Sequence, residues 1–252
     1  PIFATTGQVA SSSMGKDSFQ EADVTGITIP VTKYNQLVRS PQELPRAMEL
    51  AWQVAQDGRK GPVLLDITKN VFTSEIPEEE PVHLPAPGKD RDDIAQVMDR
   101  VLGLLEQSEK PLILVGGGVS ASDEASQVLN KLAKQHHIPV ATTVMGKGAV
   151  DETAEYALGT VGMHGLPAAN ILFDSCDLLL AVGTRFSDRV VGDSSAFQQQ
   201  KKIIHVDIDG AELHKNLKVD LAIHADAKDF FHVLSYHLEQ RHSGKRWEQW
   251  YC

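Results

Sequence analysis

The sequence predicts an α/β fold in which parallel strands alternate with helices. Three apolar runs carry this prediction, because each is long enough for one buried strand and too short for a helix. They cover residues 62–67 (PVLLDI), 111–115 (PLILV) and 178–182 (LLLAV). Segments with the apolar spacing of amphipathic helices lie between them, and such alternation is typical of parallel sheets.

The first 70 residues predict one α/β unit. Strands are expected over residues 2–5, 31–38 and 62–67, a short helix over 19–26 and a longer helix over 41–55. Ser40 stands where an N-cap is expected before the longer helix, and Gly58 marks its end. Residues 71–89 are rich in proline and acidic residues (SEIPEEEPVHLPAPGK), which predicts an extended linker.

A second α/β unit is expected over residues 90–240. Its predicted helices cover residues 94–105, 122–135, 167–173, 211–216 and 226–238, and its predicted strands cover residues 111–115, 139–142, 178–182, 203–208 and 221–224. Five strands joined by helices predict a doubly wound, Rossmann-like parallel sheet.

Composition excludes several classes of protein. The 252 residues carry a formal net charge of −10 without a basic cluster, which argues against a nucleic-acid partner. The two cysteines, Cys176 and Cys252, lie far apart and suit a reducing, cytoplasmic compartment. No apolar run approaches the length of a membrane span, so no membrane contact is expected. Pro1 already begins a predicted core strand, so the chain is expected to be part of a longer protein.

The segment that follows the strand at 178–182 predicts an anion site. Arg185, Asp188 and Arg189 come shortly after Gly183, and ligands of open parallel sheets bind beyond the carboxyl ends of the strands. Two guanidinium groups there can bind phosphate or carboxylate through paired hydrogen bonds. The alternative is an ordinary surface loop with structural ion pairs.

A glycine turn, Gly116-Gly117-Gly118, follows the strand at 111–115 and fits the G-x-G-x-x-A pattern that brings phosphate to backbone N–H groups. A nicotinamide site also requires an acid at the end of the next strand. That strand ends at Thr142 and Thr143 without a carboxylate, which weakens the interpretation as an NAD site.

Acids do follow two later strands, at Asp207, Asp209 and Asp226. They can accept hydrogen bonds from ribose hydroxyls, or they can cap the helices that follow. Together with the glycine turn and the paired arginines, they indicate a dinucleotide across the sheet edge without identifying it.

Other candidate residues carry a weaker signal. The glycine-rich loops at 143–148 and 159–165 have the length of functional loops, and Met163 and His164 lie at the tip of the second. Gln8 and Gln20 could orient a polar ligand, although a turn and a helix start explain them equally well. The ten histidines show no ligand spacing, so no metal is expected in this chain.

Nine segments, taken in order, resemble the catalytic subunits of acetohydroxyacid (acetolactate) synthases. They are TTGQV, DSFQEADVTGIT, TKYNQLV, GRKGPVLLDITKN, PLILVGGGV, TTVMGKGA, GMHG, VGTRFSDRV and IIHVDID. The resemblance extends from residue 1 to about residue 238. Members of that family are transferases that use thiamine diphosphate to condense pyruvate with a second 2-oxo acid in branched-chain amino-acid biosynthesis, and they carry a non-redox FAD.

The resemblance implies a domain layout. Residues 1–70 correspond to the C-terminal half of the thiamine-diphosphate pyrimidine-binding domain, residues 90–240 to the central FAD-binding domain, and residues 241–252 to the start of a link to a third domain. The family's catalytic glutamate and its Mg²⁺–diphosphate motif match nothing in this chain. We therefore expect a fragment, inactive alone, of a homo-oligomeric (dimeric or tetrameric) bacterial enzyme that can also bind a regulatory subunit.

The resemblance also implies roles for individual residues. Expected substrate and access-channel contacts are Phe19, Met163, Arg189, Lys69, Gln20, Asp188 and Val9, with Arg189 receiving the acceptor carboxylate. Expected FAD contacts are Arg59, Gly116, Gly117, Gly118, Thr143, Val144, Met163, His164, Gly183, Arg185, Arg189, Asp207, Ile208, Asp226 and Ala227. The chain departs from the family pattern at Ala10, Ser18, Lys60 and Ser187.

Three alternatives remain open from the sequence. One is a related FAD-type carboligase that resembles glyoxylate carboligase. The second is a non-catalytic nucleotide-binding module. The third is a Rossmann enzyme that uses NAD.

Overall fold

The computed structural model describes residues 1–75, 91–192, 194–198, 201–241 and 247–251. The chain divides into two compact units, Pro1–Asp90 and Arg91–Cys252. Most of the predicted linker at 71–89 lies outside the described residues. Among those residues, none of the helices is long and apolar enough to cross a membrane.

The first unit is a three-stranded parallel sheet covered by one long helix. Its elements, in chain order, are β1 (Ile2–Gln8), α1 (Val24–Thr28), β2 (Tyr34–Val38), α2 (Leu44–Gln56), β3 (Pro62–Thr68) and α3 (Lys69–Phe72). The described strands take the order β1-β3-β2. Ala47, Ala51 and Ala55 are buried on one face of α2, and their small side chains let the helix pack closely on the sheet.

Two local predictions for this unit are wrong. The short helix begins at Val24 and not at residue 19, because the Asp23 carboxylate caps it by accepting from the N–H of Gly26. Ser40 does not cap α2: a 3₁₀ turn, Pro41–Glu43, comes first, and the Ser40 hydroxyl bonds the Gln42 side chain. Val71 packs in the core of this unit, which therefore extends past residue 70.

The second unit is a larger parallel sheet with helices on both faces. Its elements are α4 (Ile94–Gln107), β4 (Pro111–Val115), α5 (Gly117–Ser120), α6 (Asp123–His136), β5 (Val140–Thr142), β6 (Ala157–Thr160), α7 (Pro167–Ser175), β7 (Leu178–Val182), α8 (Ser194–Gln198), β8 (Lys202–Asp207), β9 (Leu221–His224), α9 (Ala227–Gln240) and α10 (Glu248–Tyr251). The described strands take the order β6-β5-β4-β7-β8-β9.

This strand order confirms the doubly wound fold. Counted within the unit, it is the 3-2-1-4-5-6 order of dinucleotide-binding folds. The order reverses between β4 and β7, so the crevice beyond their carboxyl ends is the topological switch point. The glycine turn follows β4, and residues 183–189, which we call the arginine segment, follow β7. Both therefore lie at this crevice.

The second unit differs from the prediction at one strand, one predicted helix and three short helices, α5, α8 and α10, that were not predicted. Ala157–Thr160 forms β6, at the edge of the sheet, where a loop was expected. The region predicted as a helix over 211–216 contains only a 3₁₀ turn, Gly210–Glu212.

Alternating strand residues divide the core of the second unit between the two faces of the sheet. Ile113 and Val115 belong to one buried cluster, with Phe230 and Phe231 of α9. Leu112 and Leu114 belong to the other. Trp247 is buried in the first cluster and its indole N–H donates to the Ser108 carbonyl at 3.0 Å, so the segment predicted as the start of a link packs on this unit.

Candidate functional site

The glycine turn after β4 is built around backbone contact with the segment after β7. The N–H of Gly116 donates to the Val182 carbonyl at 3.0 Å, and that of Gly118 donates to the Gly183 carbonyl at 3.1 Å. A Cβ atom on Gly118 would lie 2.8 Å from the Gly183 Cα atom. Gly183 also has φ +60°, a conformation that favours glycine. Because Gly118 and Gly183 have no side chains, the turn after β4 and the turn after β7 can come into backbone contact.

The backbone of the arginine segment is held by neighbouring side chains, whereas the Arg185 side chain is exposed. The His205 Nε2 atom lies 2.7 Å from the Thr184 carbonyl oxygen, and the Phe186 ring packs edge-on against the imidazole with 4.9 Å between centroids. The Asn216 amide donates to the Arg185 carbonyl at 2.8 Å. Arg185 itself is exposed. The backbone on both sides of this arginine is thus anchored while its guanidinium group faces solvent.

A second loop brings Met163 to Arg189. The Met163 N–H donates to the Arg189 carbonyl at 2.8 Å, and the Arg189 guanidinium lies 3.5 Å from the Met163 sulfur. The Asn170 side chain holds this loop, since it accepts from the Gly162 N–H at 2.8 Å and donates to the Gly162 carbonyl at 3.0 Å. His164 is exposed beside Met163.

The turn after β5 adds an apolar rim. Thr143 is buried, and its hydroxyl accepts from the Gly146 N–H at 3.1 Å, which holds the turn. Val144 and Met145 are 62% and 73% exposed, and Met163 is 61% exposed. The Cβ position of Gly117 lies 3.3 Å from that of Met145, so this turn borders the glycine turn. Exposed apolar groups next to the switch point are typical of a surface that a ligand covers.

The three acids lie at the carboxyl ends of β8 and β9. Asp207 is buried and accepts from the Asp209 N–H at 2.9 Å. Asp209 caps the 3₁₀ turn and Asp226 caps α9 through the Lys228 N–H, so capping accounts for both. Ile208, whose carbonyl oxygen lies 3.0 Å from His224 Nε2, and Ala227 lie beside these acids.

Arg189 has an acidic neighbour, Asp188. The Arg189 Nε atom lies 3.7 Å from the Asp188 carboxylate, with both side chains exposed. Such an exposed pair is worth at most about 1 kcal/mol, so a ligand carboxylate can compete for Arg189.

Cys176 offers no nucleophile, because burial raises the pKa of its thiol to about 11.

The candidates in the first unit occupy two ends of its sheet. Val9 directly follows β1 and Lys69 directly follows β3, so both lie at the carboxyl edge, and Phe19 and Gln20 lie in the longer segment between β1 and α1. Phe19 is 89% exposed. Arg59 precedes β3 and lies at the opposite edge.

Gln8 has a structural partner in the first unit. Its amide donates to the buried Asp66 carboxylate at 3.0 Å and to the Ala22 carbonyl at 2.6 Å.

Across the described part of the chain, no group of three or more histidine, cysteine, aspartate or glutamate side chains could hold a metal ion.

In the second unit, three residues that hold the loops around Arg185 and Met163 were not identified from the sequence. They are His205, Asn170 and Asn216. The sequence carries a faint signal for His205, a polar residue inside the apolar run IIHVDI. Nothing in the local sequence marks the two asparagines, because their partners are backbone atoms of other loops.

The strand order and the edge residues define a doubly wound α/β domain of the dinucleotide-binding type, with its switch point between β4 and β7. Residues 98–234 match the profile of the family described as thiamine pyrophosphate enzyme, central domain. The chain belongs to this family.

Similar proteins carry consistent names. The chain is 44% identical over 234 residues to a probable acetolactate synthase large subunit of Methanocaldococcus jannaschii, covering 91% of the chain and 39% of that protein. It is 41% identical over 247 residues to the acetolactate synthase large subunit of Corynebacterium glutamicum, covering 97% and 39%. The chain thus spans 39% of the length of these curated relatives.

Proposed function

We propose that this chain is the FAD-holding part of an acetolactate synthase catalytic subunit. The observation that carries the proposal is the meeting of the glycine turn and the anchored Arg185 segment at the switch point of a 3-2-1-4-5-6 sheet. The names of the relatives support the activity, which is decarboxylative condensation of pyruvate with a second 2-oxo acid.

The residues at the crevice fit a flavin dinucleotide. Arg185 offers an exposed guanidinium group to the diphosphate, and Asp207 lies at the strand end where ribose hydroxyls bind. Val144, Met145 and Met163 offer apolar surface for the ring systems. In the proposed complex the further contacts are Arg59, Gly116, Gly117, Gly118, Thr143, His164, Gly183, Arg189, Ile208, Asp226 and Ala227.

The acceptor substrate is assigned to the loop contact between Met163 and Arg189. A guanidinium group binds a carboxylate through charge-assisted hydrogen bonds worth about 1.5–3 kcal/mol, enough to orient a 2-oxo acid. Phe19, Gln20, Lys69 and Asp188 are proposed as further substrate or channel contacts. Thiamine diphosphate and Mg²⁺ supply the decarboxylation and carbon–carbon bond chemistry in the complete enzyme, and we expect this chain alone to be inactive.

Titration of the chain with FAD tests the proposal. Arg185→Ala should weaken FAD binding by about tenfold or more, because a charge-assisted contact is lost. Arg100→Ala, at an exposed position in α4, is the matched control and should bind FAD as the original chain does. Absence of FAD binding by the unmodified chain would refute the cofactor assignment.

Arg189→Ala tests the division of roles in the full-length enzyme. It should raise the concentration of acceptor 2-oxo acid required, with a smaller effect on FAD. Equal losses of FAD affinity for the Arg185 and Arg189 variants would contradict separate roles. Product identification with pyruvate or glyoxylate as substrate distinguishes acetolactate synthase from a carboligase of the glyoxylate type.

NAD is the competing ligand for a fold of this order. The carboxyl end of β5, where a nicotinamide site places its acid, carries Thr143. We therefore expect NAD at millimolar concentration not to displace FAD, and tight NAD binding would favour the alternative.

A further inference from the structure

We infer that His205 is a positioning residue for Arg185, and that its imidazole N–H holds the Thr184 carbonyl so that the guanidinium group faces the ligand crevice. This inference rests on the proposed FAD site. His205 lies on β8, next to β7, and is 1% exposed. It cannot touch a ligand at the sheet edge itself, so its influence passes through the segment 184–186.

The contact fixes the protonation state of His205. A carbonyl oxygen only accepts hydrogen bonds, so Nε2 carries the proton. Nδ1 is buried and finds no hydrogen-bond partner among the described residues. Burial also lowers the pKa of the imidazole to about 4, so the ring is neutral at physiological pH. The neutral Nε2–H tautomer is the one that can hold the Thr184 carbonyl.

A purely structural role would be served better by an aliphatic side chain. The neighbours of His205 across the sheet are Ala181 and Ala222, which leave room for a larger group, and the adjacent strand residues Ile204 and Val206 are apolar. A buried nitrogen without a partner costs about 1–3 kcal/mol. The chain carries this cost at a strand position whose side chain reaches the Thr184 carbonyl.

The imidazole also supports strained backbone next to Arg185. Phe186 has φ +48°, in the left-handed region that side chains rarely adopt, and its buried ring packs on His205. Arg185 therefore has a fixed residue on each side, Thr184 through a hydrogen bond and Phe186 through its ring. Asn216 fixes the Arg185 carbonyl between them.

Three variants of His205 test this inference in the full chain. His205→Gln retains an amide donor near the position of Nε2, whereas His205→Asn is equally polar and too short to reach Thr184. His205→Leu has a similar size and no donor. We expect hydrogen exchange of the peptide 184–189 to rise about tenfold in the Asn and Leu variants, as the loss of one hydrogen bond implies, and to stay near the original rate in the Gln variant.

FAD titration supplies the second readout. His205→Leu should weaken FAD binding about tenfold in the original chain and have almost no further effect in the Arg185→Ala background. If His205→Leu does not fold, the comparison of Gln with Asn decides. Equal exchange in the Gln and Asn variants, or an undiminished His205 effect without Arg185, would overturn the inference. If the original chain binds no FAD, the proposed function fails and the link to Arg185 fails with it, while the exchange data still decide whether His205 holds the segment.

Discussion

Gly118 and Gly183 illustrate how little space a single residue has at the switch point. The Cβ of an alanine at position 118 would lie 2.8 Å from the Gly183 Cα atom, which belongs to backbone held by the sheet. Gly118→Ala should therefore lower the free energy of unfolding by about 1–3 kcal/mol, as overpacking does. Urea unfolding followed by circular dichroism measures this change.

Gly103 provides the matched control for that substitution. It lies inside α4, and its Cβ position meets nothing within 4 Å. Gly103→Ala should raise stability by about 0.5–1 kcal/mol, because alanine is the better helix former. Equal effects of the two substitutions would show that the turn at residue 118 can move.

His205 should make stability depend on pH. Its folded-state pKa is about 4, while an unfolded histidine titrates near 6.5, so the unfolded chain binds the extra proton between these values. Stability from this group is therefore lost as the pH falls from about 6.5 to about 4. Between pH 7 and pH 5, the original chain should lose about 2 kcal/mol more stability than His205→Gln.

Urea unfolding midpoints at several pH values measure that difference. His136, whose pKa burial also lowers, contributes in the same direction in both proteins and cancels in the comparison. Identical pH profiles for the two proteins would place the imidazole in contact with water.

At the residue scale, the sequence pointed to the exposed arginines at the sheet edge but not to the buried or half-buried side chains that hold the surrounding loops. Arg185 and Arg189 come within a few residues of the end of β7, so the apolar run alone was enough to place them beyond the carboxyl end of a strand. His205 and Asn170 bond backbone atoms that are 21 and 8 residues away, and no local pattern encodes such contacts. Asp209 and Asp226 act as caps, the alternative that the sequence left open.

At the scale of elements, the loop between β6 and α7 depends on Asn170. Its amide satisfies both the N–H and the carbonyl of Gly162, and Gly162 has φ +99° with its Cβ position against the Arg189 carbonyl. Asn170→Ala should lower stability by about 1–3 kcal/mol, because two backbone groups lose their partner.

The same substitution should speed hydrogen exchange in residues 161–166. Asn170→Asp is the control, since it keeps the acceptor for the Gly162 N–H and loses only the donor, and it should show a smaller effect. Unchanged exchange in Asn170→Ala would mean that the Met163 contact with Arg189 holds the loop without help.

Strands were predicted more accurately than helix ends. β4, β7 and β9 begin and end where the apolar runs do, because buried parallel strands require continuous apolar sequence. β6 was missed since its four residues include Gly159 and are only half-buried at the sheet edge. The start of α1 depends on the Asp23 cap, and α2 begins only after the 3₁₀ turn Pro41–Glu43, neither of which composition alone reveals.

At the scale of the whole molecule, the two units have separate cores. Among the residues that the structure describes, the second unit contains both large buried clusters, whereas the first contains one cluster of eight buried residues. Residues 91–252 alone should therefore fold cooperatively and give a native near-ultraviolet circular dichroism spectrum. A collapsed product without that spectrum would show that the second unit depends on the first.

Arg59→Ala tests one further proposed FAD contact. The variant should bind FAD up to about tenfold more weakly than the original chain, the value of one charge-assisted contact. The neighbouring Lys60→Ala should bind FAD as the original chain does. Equal affinity of the Arg59 variant and the original chain would remove Arg59 from the proposed site.

The backbone contact between Gly118 and Gly183 also restricts how this crevice could be re-engineered for another cofactor. A mutant library that varies either glycine would consist largely of destabilised proteins, because a Cβ atom at either position meets backbone of the other turn. Arg185, Val144 and Met163 are exposed, so substitutions at these positions should disturb the fold less. Directed evolution of ligand preference should therefore diversify these three positions and leave both glycines constant.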